Sequence, residues 1–587
     1  MVSSIDRDVV GGYQTDVVSR EIVRGKLLAV ADEMSVVLAR SSMSPVIYEV
    51  LDFACGFCTA DGELVAQSNG ITVFTGTFSN QVTAIREKFA DTMAPEDIYM
   101  VNDPDITGTH YCDVSILKPI YIDGELFAYA ISISHWTDVG GMAPGSLAAD
   151  ATERFQEGIC FPGVKLFDKG VRQDVIYDMI SANMRIPKMA FGDLNAALAS
   201  VRIAETRCRE FCEKYGKEAV AETFRHILQS SEMISRKAIL ELPDGVYVAE
   251  DWIDGDGITE ERFPTKVTVT IKGDEITFDY TGSSPQLQGP INCARGALIS
   301  AVKTVFKAVI DPQGPSNEGW FRPLTVIAPE GTVFTAVKPA PVGWYFEGTG
   351  MASEVAWKAM AQVVPDRVSM GSANSLCVTV LGGADISGQD PWVMIETNMV
   401  GWGATDERDG NCVTSAITDG DTFNYSIELL EANFPLRCHK YALNTKSGVG
   451  AGRHRGGYGA IREYELLADN TVLCASFGRS QERPWAGDSG QPGSCNYFEL
   501  DTGDGTRRMS RAPTMTLKRG DRLNIFTGGG GGYGNPFDRP PEEVFEEVRA
   551  DYISPEQAAN SYGVALLSDG SAIDEAGTAR LRSVEST

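Results

Sequence analysis

Five histidines occur in the 587-residue chain, and two of them have neighbours suited to metal binding or proton transfer. His110 lies three residues before Asp113, in a segment rich in small residues. His135 lies three residues before Asp138. Imidazole nitrogens and carboxylate oxygens together are typical ligands of Zn, Mn and Fe(II). The residue types and their spacing leave two interpretations open: a metal site, or a His135 that caps a strand and a His110 that bonds to turn amides.

A β-hairpin is expected to bring the two histidines together. Asp123-Gly124 lies between two apolar runs, which is typical of a hairpin turn. A strict two-residue turn would pair His135 with Cys112 and place His135 and Asp113 on opposite faces of the sheet. We therefore predict a bulge or a three-residue loop, so that both side chains can bind one ion. Asp52 is the candidate fourth ligand.

Composition and simple motifs exclude several function classes. The chain has 51 Lys and Arg residues against 80 Asp and Glu residues, a net charge of −29, so no nucleic-acid partner is expected. Its apolar runs are shorter than the roughly 18 residues that span a bilayer, and the start lacks a signal-peptide pattern. We therefore expect a cytoplasmic protein without a membrane contact. The sequence has no P-loop motif, so the chain is not expected to bind ATP alone.

Cysteine and glycine usage predicts structural roles rather than chemistry. Twelve scattered cysteines indicate reduced thiols, and Cys55 and Cys58 are expected to pack in a strand. Five consecutive glycines, Gly528 to Gly532, are followed by neither a lysine nor a helical pattern. We expect this run to provide a tight turn or a close backbone contact rather than an anion site.

Hydrophobic periodicity indicates the elements that must hold these residues. A helical period predicts a helix over 19–42 and two more between 193 and 242, broken at Gly216. Asp193 is suited to cap the first of that pair. Strand-like patterns from 52 to 134 indicate two hairpins, one of which turns at Asp61-Gly62. The remaining predictions are strands over 266–271 and 275–280, helices over 297–309, 351–363 and 540–551, short strands over 449–526, a helix beginning at 554–556 and a loose tail from about 568.

These elements predict a mixed α+β chain of several domains, rich in antiparallel strands and with helices in the core. We place the domain boundaries as follows: an N-terminal metal-site domain over 1–242, a central mixed α/β domain over 243–448, a β-rich segment over 449–536, and C-terminal helices with a tail over 537–587.

The segments around the two histidines resemble the hydantoinase B family. This family includes the B subunits of ATP-dependent N-methylhydantoinases and caprolactamase, the matching half of 5-oxoprolinase, and related acetone and acetophenone carboxylase subunits. The resemblance spans nearly the whole chain. It is carried by Ser44-Pro45 through Leu51-Asp52-Phe53, Asp61-Gly62 with Leu64-Val65-Ala66-Gln67, Asn102-Asp103-Pro104, Gly108-Thr109-His110 with Asp113, His135 with Asp138-Val139-Gly140-Gly141, Glu157-Gly158, Gly289-Pro290-Ile291-Asn292, Phe434-Pro435-Leu436-Arg437, Gly452 with Arg455-Gly456-Gly457, and the glycine run with Tyr533-Gly534 and Pro536.

The resemblance implies a metal site and a partner. Four ligands, Asp52, His110, Asp113 and His135, would hold a divalent Zn, Mn or Fe ion. ATP would bind to a separate hydantoinase A-type subunit of a hetero-oligomer, where a carbonyl of a small-molecule substrate becomes phosphorylated. Metal-bound hydroxide on this chain would then attack the activated carbon. Asp138 is a candidate catalytic residue that orients a ligand histidine or accepts a proton.

The implied function is that of the metal-bearing subunit of an ATP-dependent cyclic amide hydrolase acting on a hydantoin or a lactam. The alternative is a subunit of an ATP-dependent ketone carboxylase of the acetone or acetophenone type. Many family members carry a second histidine where this chain has Trp136, and further histidines where it has Gly70 and Phe74. We expect Trp136 and Phe74 to make the pocket more apolar, which favours a lactam or an aryl ketone.

Overall fold

The computed structural model describes residues 15–420 and 422–583. Its strands are β1 Phe53–Thr59, β2 Leu64–Gln67, β3 Ile98–Val101, β4 Asp113–Ile122, β5 Glu125–His135, β6 Val164–Asp168, β7 Val171–Arg172, β8 Gly245–Asp254, β9 Arg262–Lys272, β10 Glu275–Asp279, β11 Leu324–Ile327, β12 Val378–Ala384, β13 Pro391–Glu396, β14 Leu436–Leu443, β15 Ala460–Leu466, β16 Thr471–Ser476, β17 Tyr497–Thr502, β18 Gly505–Met509, β19 Arg511–Leu517 and β20 Arg522–Phe526. Its α-helices are α1 Val17–Ser41, α2 Pro45–Tyr48, α3 Thr72–Thr75, α4 Phe78–Lys88, α5 Pro104–Thr107, α6 Asp174–Asn183, α7 Pro187–Tyr215, α8 Lys217–Leu240, α9 Arg295–Ile310, α10 Tyr345–Met360, α11 Ile427–Asn433, α12 Pro541–Arg549, α13 Pro555–Tyr562 and α14 Glu575–Ser583.

A seven-stranded sheet in the order β2-β1-β5-β4-β3-β6-β7 carries His135, and His110 lies in the loop just before its strand β4. Both predicted hairpins are confirmed: β1 pairs with β2, and β4 pairs with β5, each antiparallel. Successive side chains of a strand point to opposite faces, so each strand serves two cores. Ile116 and Ala130 pack with helices α1 and α7 on one face, whereas Leu117 and Ile131 pack with α9 and α10 on the other. Cys55 and Cys58 are buried in β1, as expected.

The long helices follow the predicted periodicity, with one correction at a helix start. The break at Gly216 is confirmed, because α7 ends at Tyr215 and α8 begins at Lys217. The assignment of Asp193 as an N-cap is wrong. Pro187 starts α7 earlier, because proline is favoured at the first helical position. Asp193 is therefore inside the helix, where its Oδ1 accepts hydrogen bonds from the backbone N–H groups of Met43 and Ser44 at 2.8 and 3.0 Å.

Three smaller sheets complete the mixed α+β architecture, which agrees with the predicted fold class. Their strand orders are β11-β10-β9-β8, β13-β12-β16-β19 and β14-β15-β20-β17-β18. All pairings in these sheets are antiparallel except that of β10 with β11. The strands predicted over 266–271 and 275–280 correspond to β9 and β10, and the two central helices correspond to α9 and α10.

The C-terminal part confirms two expectations and corrects one. The run Gly528 to Gly532 is buried, and a Cβ on Gly530 would lie 2.0 Å from the Trp402 carbonyl oxygen, so the run does provide close backbone contacts. The helix at 554–556 is α13, which Ser554 caps. The expected loose tail is wrong, because α14 forms there and its Thr578 hydroxyl accepts a hydrogen bond from the Ala565 N–H at 3.0 Å. No helix within the described ranges is long and apolar enough to cross a membrane.

Candidate metal centre

The β4–β5 hairpin places Asp113 directly opposite His135, and the irregularity that permits this is the predicted one. Near the turn Tyr121 pairs with Leu126, whereas Ile120 already pairs with Ala128, so the register shifts by one residue. One extra residue on β5 changes the partner of His135 from Cys112 to Asp113. The predicted bulge is therefore confirmed, and it brings a carboxylate and an imidazole to the same end of the sheet.

Three candidate ligand atoms converge at this end of the hairpin. His110 precedes β4 in a short loop after α5, and its Nε2 lies 3.1 Å from His135 Nδ1 and 3.2 Å from Asp113 Oδ1. His135 Nδ1 lies 3.1 Å from the same Asp113 oxygen. All three side chains are buried. Two imidazoles that share one carboxylate oxygen form a compact donor set of the kind that divalent transition metals bind.

The protonation of the three groups is coupled. Against the effect of burial, His110 and His135 hold the pKa of Asp113 well below its ordinary value. Burial acts to lower the pKa of His110, but the Asp113 carboxylate outweighs it and raises that pKa. The pKa of His135 is lowered by burial and by the neighbouring His110. The site thus favours the ionised form of Asp113, and a divalent cation would compete with protons for the imidazole nitrogens.

Backbone and side-chain partners fix the orientation of the ligand atoms. His110 Nδ1 donates to the Gly343 carbonyl oxygen at 2.8 Å, which leaves Nε2 as the nitrogen that faces the other ligands. The Gly343 N–H donates in turn to Glu157 Oε1 at 2.6 Å. Tyr345 donates its hydroxyl to Asp113 Oδ2 at 3.3 Å. His135 Nε2 is buried without a hydrogen-bond partner in the described part of the chain. His135 Nδ1 is the nitrogen 3.1 Å from Asp113 and His110, so the unpartnered Nε2 is a second nitrogen of this ring that a cation could occupy.

Two further carboxylates face the same cavity. Asp52 precedes β1, and its carbonyl oxygen accepts a hydrogen bond from the His135 N–H at 3.1 Å. Burial and the nearby Asp113 and Asp419 raise the pKa of Asp52 well above its ordinary value. Asp419 was missed by sequence reasoning, because it stands in a polar segment without hydrophobic periodicity or a motif. Burial raises its pKa to about 6, and its carboxylate accepts a hydrogen bond from Thr422 at 2.9 Å.

Cys112 is a second residue that sequence reasoning did not select as a ligand. The potential ligand atoms of His110, Cys112 and His135 all lie within 4.8 Å of one another. Burial raises the pKa of the Cys112 thiol well above its ordinary value, and the thiol donates to the Gly145 carbonyl oxygen at 3.5 Å. Because a thiolate, not a thiol, is the metal ligand, the ionised Asp113 is the stronger donor in this arrangement.

The cavity that these groups share is small, about 30 Å³, and largely apolar in its walls. This volume accommodates an ion with one or two waters rather than a lactam ring.

Phe74 contributes to the wall, as expected. The expectation for Trp136 is wrong: its side chain packs with the core on the other face of the sheet, because it directly follows His135 and successive strand residues alternate. The lining residues are Asp52, Ile71, Val73, Phe74, His110, Asp113, His135, Leu147, Tyr345, Phe346, Thr349, Leu376, Val378, Ile395, Thr397, Thr418 and Asp419.

Asp138 lies outside this group of lining residues. Its carboxylate forms an ion pair with Arg185 at 2.7 Å and accepts a hydrogen bond from the Gly140 N–H at 3.1 Å. The side chain is buried, and these partners hold the loop that follows β5. A catalytic role for Asp138 stays a prediction.

A buried set of two imidazoles and several carboxylates, held by a sheet and by α10, defines a candidate metal-dependent enzyme. The chain belongs to the Hydantoinase B/oxoprolinase family, whose model matches residues 16–536. It is 32% identical to the B subunit of a putative D-/L-hydantoinase from a Pseudomonas species, covering 97% of this chain and 98% of that protein. The crystal structure of the ATP-dependent caprolactamase from Pseudomonas jessenii superimposes with a TM-score of 0.90 at 28% identity, covering 97% of this chain and 100% of that one. The acetophenone carboxylase delta subunit of Aromatoleum aromaticum is 24% identical, covering 91% of this chain and 84% of that protein.

Proposed function

We propose that this chain is the metal-bearing subunit of an ATP-dependent cyclic amide hydrolase that opens a hydantoin or a lactam. The observation that carries the proposal is the convergence of His110 Nε2, His135 Nδ1 and Asp113 Oδ1 within 3.1 to 3.2 Å of one another in a buried cavity. Together with Asp52 these residues are the proposed ligands of a divalent Zn, Mn or Fe ion.

The substrate class is supported by the relatives. Hydantoin and caprolactam, which appear in the names of two of them, are both cyclic amides. The chain is more similar in sequence to these proteins, at 32% and 28% identity, than to the acetophenone carboxylase protein at 24%.

Activation of the amide belongs, in this proposal, to a separate ATP-binding subunit of the hydantoinase A type. An amide carbonyl is a poor electrophile, and phosphorylation of its oxygen makes the carbon more reactive toward water. The hydantoinase relative from Pseudomonas is named as one subunit of its enzyme, which agrees with a hetero-oligomer. The chain's own sequence lacks a P-loop motif, so it has no obvious means of using ATP alone.

The residues of this chain prepare the site for attack by water. A divalent ion, when bound, supplies a water of lowered pKa and polarises the carbonyl. Gly343 holds His110 so that Nε2 faces the cavity, and Asp113 offsets part of the ion's charge. Asp419, with a pKa of about 6, is ionised at neutral pH and lies in the cavity wall, where it can accept a proton. The apolar walls exclude bulk water.

The test is ring opening by the full chain together with its ATP-binding partner, assayed on a hydantoin and on a lactam with ATP. Asp113→Asn is expected to abolish product formation, because it keeps the shape of the side chain but removes its charge. Asp61→Asn, at an exposed turn of the same sheet, is the matched control and keeps full activity. Product that forms only with bicarbonate would contradict the proposal and favour a ketone carboxylase. Full activity of Asp113→Asn would contradict the site.

A further inference from the structure

A second cavity shares a wall with the metal cavity. It has a volume of about 240 Å³ and lies between α3, α9 and the short helix Glu318–Phe321. Helix α3 separates the two: its Val73 and Phe74 line the metal cavity, whereas its Thr72 and Thr75 line the second one. One turn of helix therefore stands between a cavity too small for a ring substrate and one large enough to hold it.

The second cavity is positively charged in a strongly acidic chain. Lys303, Lys307 and Glu318 are its charged residues, so its lining carries a net charge of +1 (two positive groups and one negative) while the chain carries −29. Lys303 is neutralised by Glu318, whose carboxylate lies 2.8 Å from its ammonium nitrogen. Lys307 is different, because no carboxylate in the described part of the chain lies within 4.0 Å of its ammonium group. Its charge is therefore compensated only at longer range, by the Asp311 carboxylate.

Lys307 is held in place without being neutralised. Its ammonium group lies 4.4 Å from the centre of the Trp320 ring and donates to the Asp311 carbonyl oxygen. Burial lowers the pKa of Lys307, and the Asp311 carboxylate opposes that shift only in part. The Asp311 carboxylate acts on this ammonium group only from beyond 4.0 Å, so a closer anion would stabilise the group further.

The remaining lining describes the ligand more closely. The Ser316 hydroxyl can donate a hydrogen bond to an oxygen atom of an anion, whereas the hydroxyls of Thr72, Thr75 and Thr304 already donate to backbone carbonyl oxygens. Leu64 and other apolar side chains cover most of the rest of the surface. An ammonium group, one hydroxyl donor and apolar walls match an anion with an attached hydrocarbon ring.

We propose that this pocket binds the phosphoryl group of an activated ring substrate, with α3 as the partition between it and the metal cavity. The inference rests on the proposed function, in which a phosphorylated cyclic amide must reach this chain from the ATP-binding partner.

Helix α3 contacts the segment that carries Asp419. Thr72 Oγ1 and the Val73 N–H both donate to the Thr418 carbonyl oxygen, at 2.9 and 3.3 Å. Thr418 directly precedes Asp419, so displacement of α3 would act on both walls of the metal cavity.

The experiment measures binding of phenylphosphonate and of inorganic phosphate to the purified full chain by titration calorimetry, at low ionic strength. Lys307→Met removes the charge and keeps a long apolar side chain against Trp320. Lys307→Arg retains the charge, and Lys272→Met removes an exposed lysine at the end of β9 as the matched control. We expect phenylphosphonate to bind about tenfold more weakly to Lys307→Met, and with little change to the other two variants.

The proposal would be overturned if phenylphosphonate did not bind to the wild-type chain, or if it bound to Lys307→Met with wild-type affinity. It would also be overturned if inorganic phosphate bound as tightly as phenylphosphonate, because that result would indicate a free-phosphate site. The metal content of each sample is measured in parallel. Absence of metal in a folded wild-type chain counts against the proposed function, whereas full metal content without phosphonate binding counts against this pocket alone.

Discussion

Glu157 is expected to position the candidate ligand His110 from a distance, and its removal should affect both stability and metal binding. Its carboxylate oxygen Oε1 accepts hydrogen bonds from the Gly343 N–H at 2.6 Å and from the Val342 N–H at 2.9 Å. Gly343 in turn accepts the hydrogen bond from His110 Nδ1. Glu157→Ala leaves two buried donors without an acceptor. At about 1–3 kcal/mol for each unsatisfied donor, the free energy of unfolding should fall by about 2–6 kcal/mol.

The same change should weaken metal binding, because partners outside the ligand set typically contribute about 10–100-fold to affinity. Glu157→Gln keeps one acceptor oxygen, so its losses should be smaller in both measurements. Burial raises the pKa of Glu157 to about 7, so the comparison belongs above that pH, where the carboxylate is charged. Urea unfolding reports the stability and chelator competition reports the metal affinity. If Glu157→Ala folds with unchanged metal affinity, the path from Glu157 through Gly343 to His110 does not position the ligand.

Three further predictions concern the surroundings of the site. Burial raises the pKa of Asp193 to about 6, so the folded chain holds a proton that the unfolded chain releases near pH 4. The free energy of unfolding of the wild-type chain, relative to that of Asp193→Asn, should therefore fall by up to about 3 kcal/mol as the pH rises from 4 to 6. Urea titrations at both pH values measure this change. Tyr345→Phe removes the hydrogen bond to the candidate ligand carboxylate and should weaken metal binding about tenfold by chelator competition, whereas an unchanged affinity would show that this bond is not needed. Gly530→Ala should lower the melting temperature by several degrees because its Cβ would meet a carbonyl oxygen at 2.0 Å, whereas Gly503→Ala, which meets nothing within 4 Å, should leave it unchanged.

The local part of the site could be predicted from sequence. Asp113 and His135 lie on one hairpin and His110 lies just before it; the hairpin turn is marked by Asp123-Gly124 and its strands by apolar runs. The bulge followed from chemistry, since a regular register would have separated Asp113 from His135. Local periodicity and ligand chemistry together were therefore sufficient for this part.

The groups that complete the cavity could not be predicted in this way. Gly343 and Asp419 come from distant parts of the chain, and neither stands in a pattern that specifies which strand it will meet. Asp193 shows the opposite failure: its residue type favours a helix cap, but Pro187 starts the helix earlier and tertiary contacts with the Met43 and Ser44 backbone use the carboxylate instead. Side-chain direction was equally decisive for Trp136, which strand alternation turns away from the cavity.

The central claim, a divalent metal ion held by the β4–β5 hairpin, is tested most directly by elemental analysis of the purified full chain. Wild type is compared with a double variant, His110→Ala with His135→Ala, and circular dichroism verifies that both are folded. The account predicts about one Zn, Mn or Fe ion per wild-type chain and none in the double variant. An undiminished metal content in the double variant, or no metal in wild type both alone and in complex with the proposed ATP-binding subunit, would contradict it.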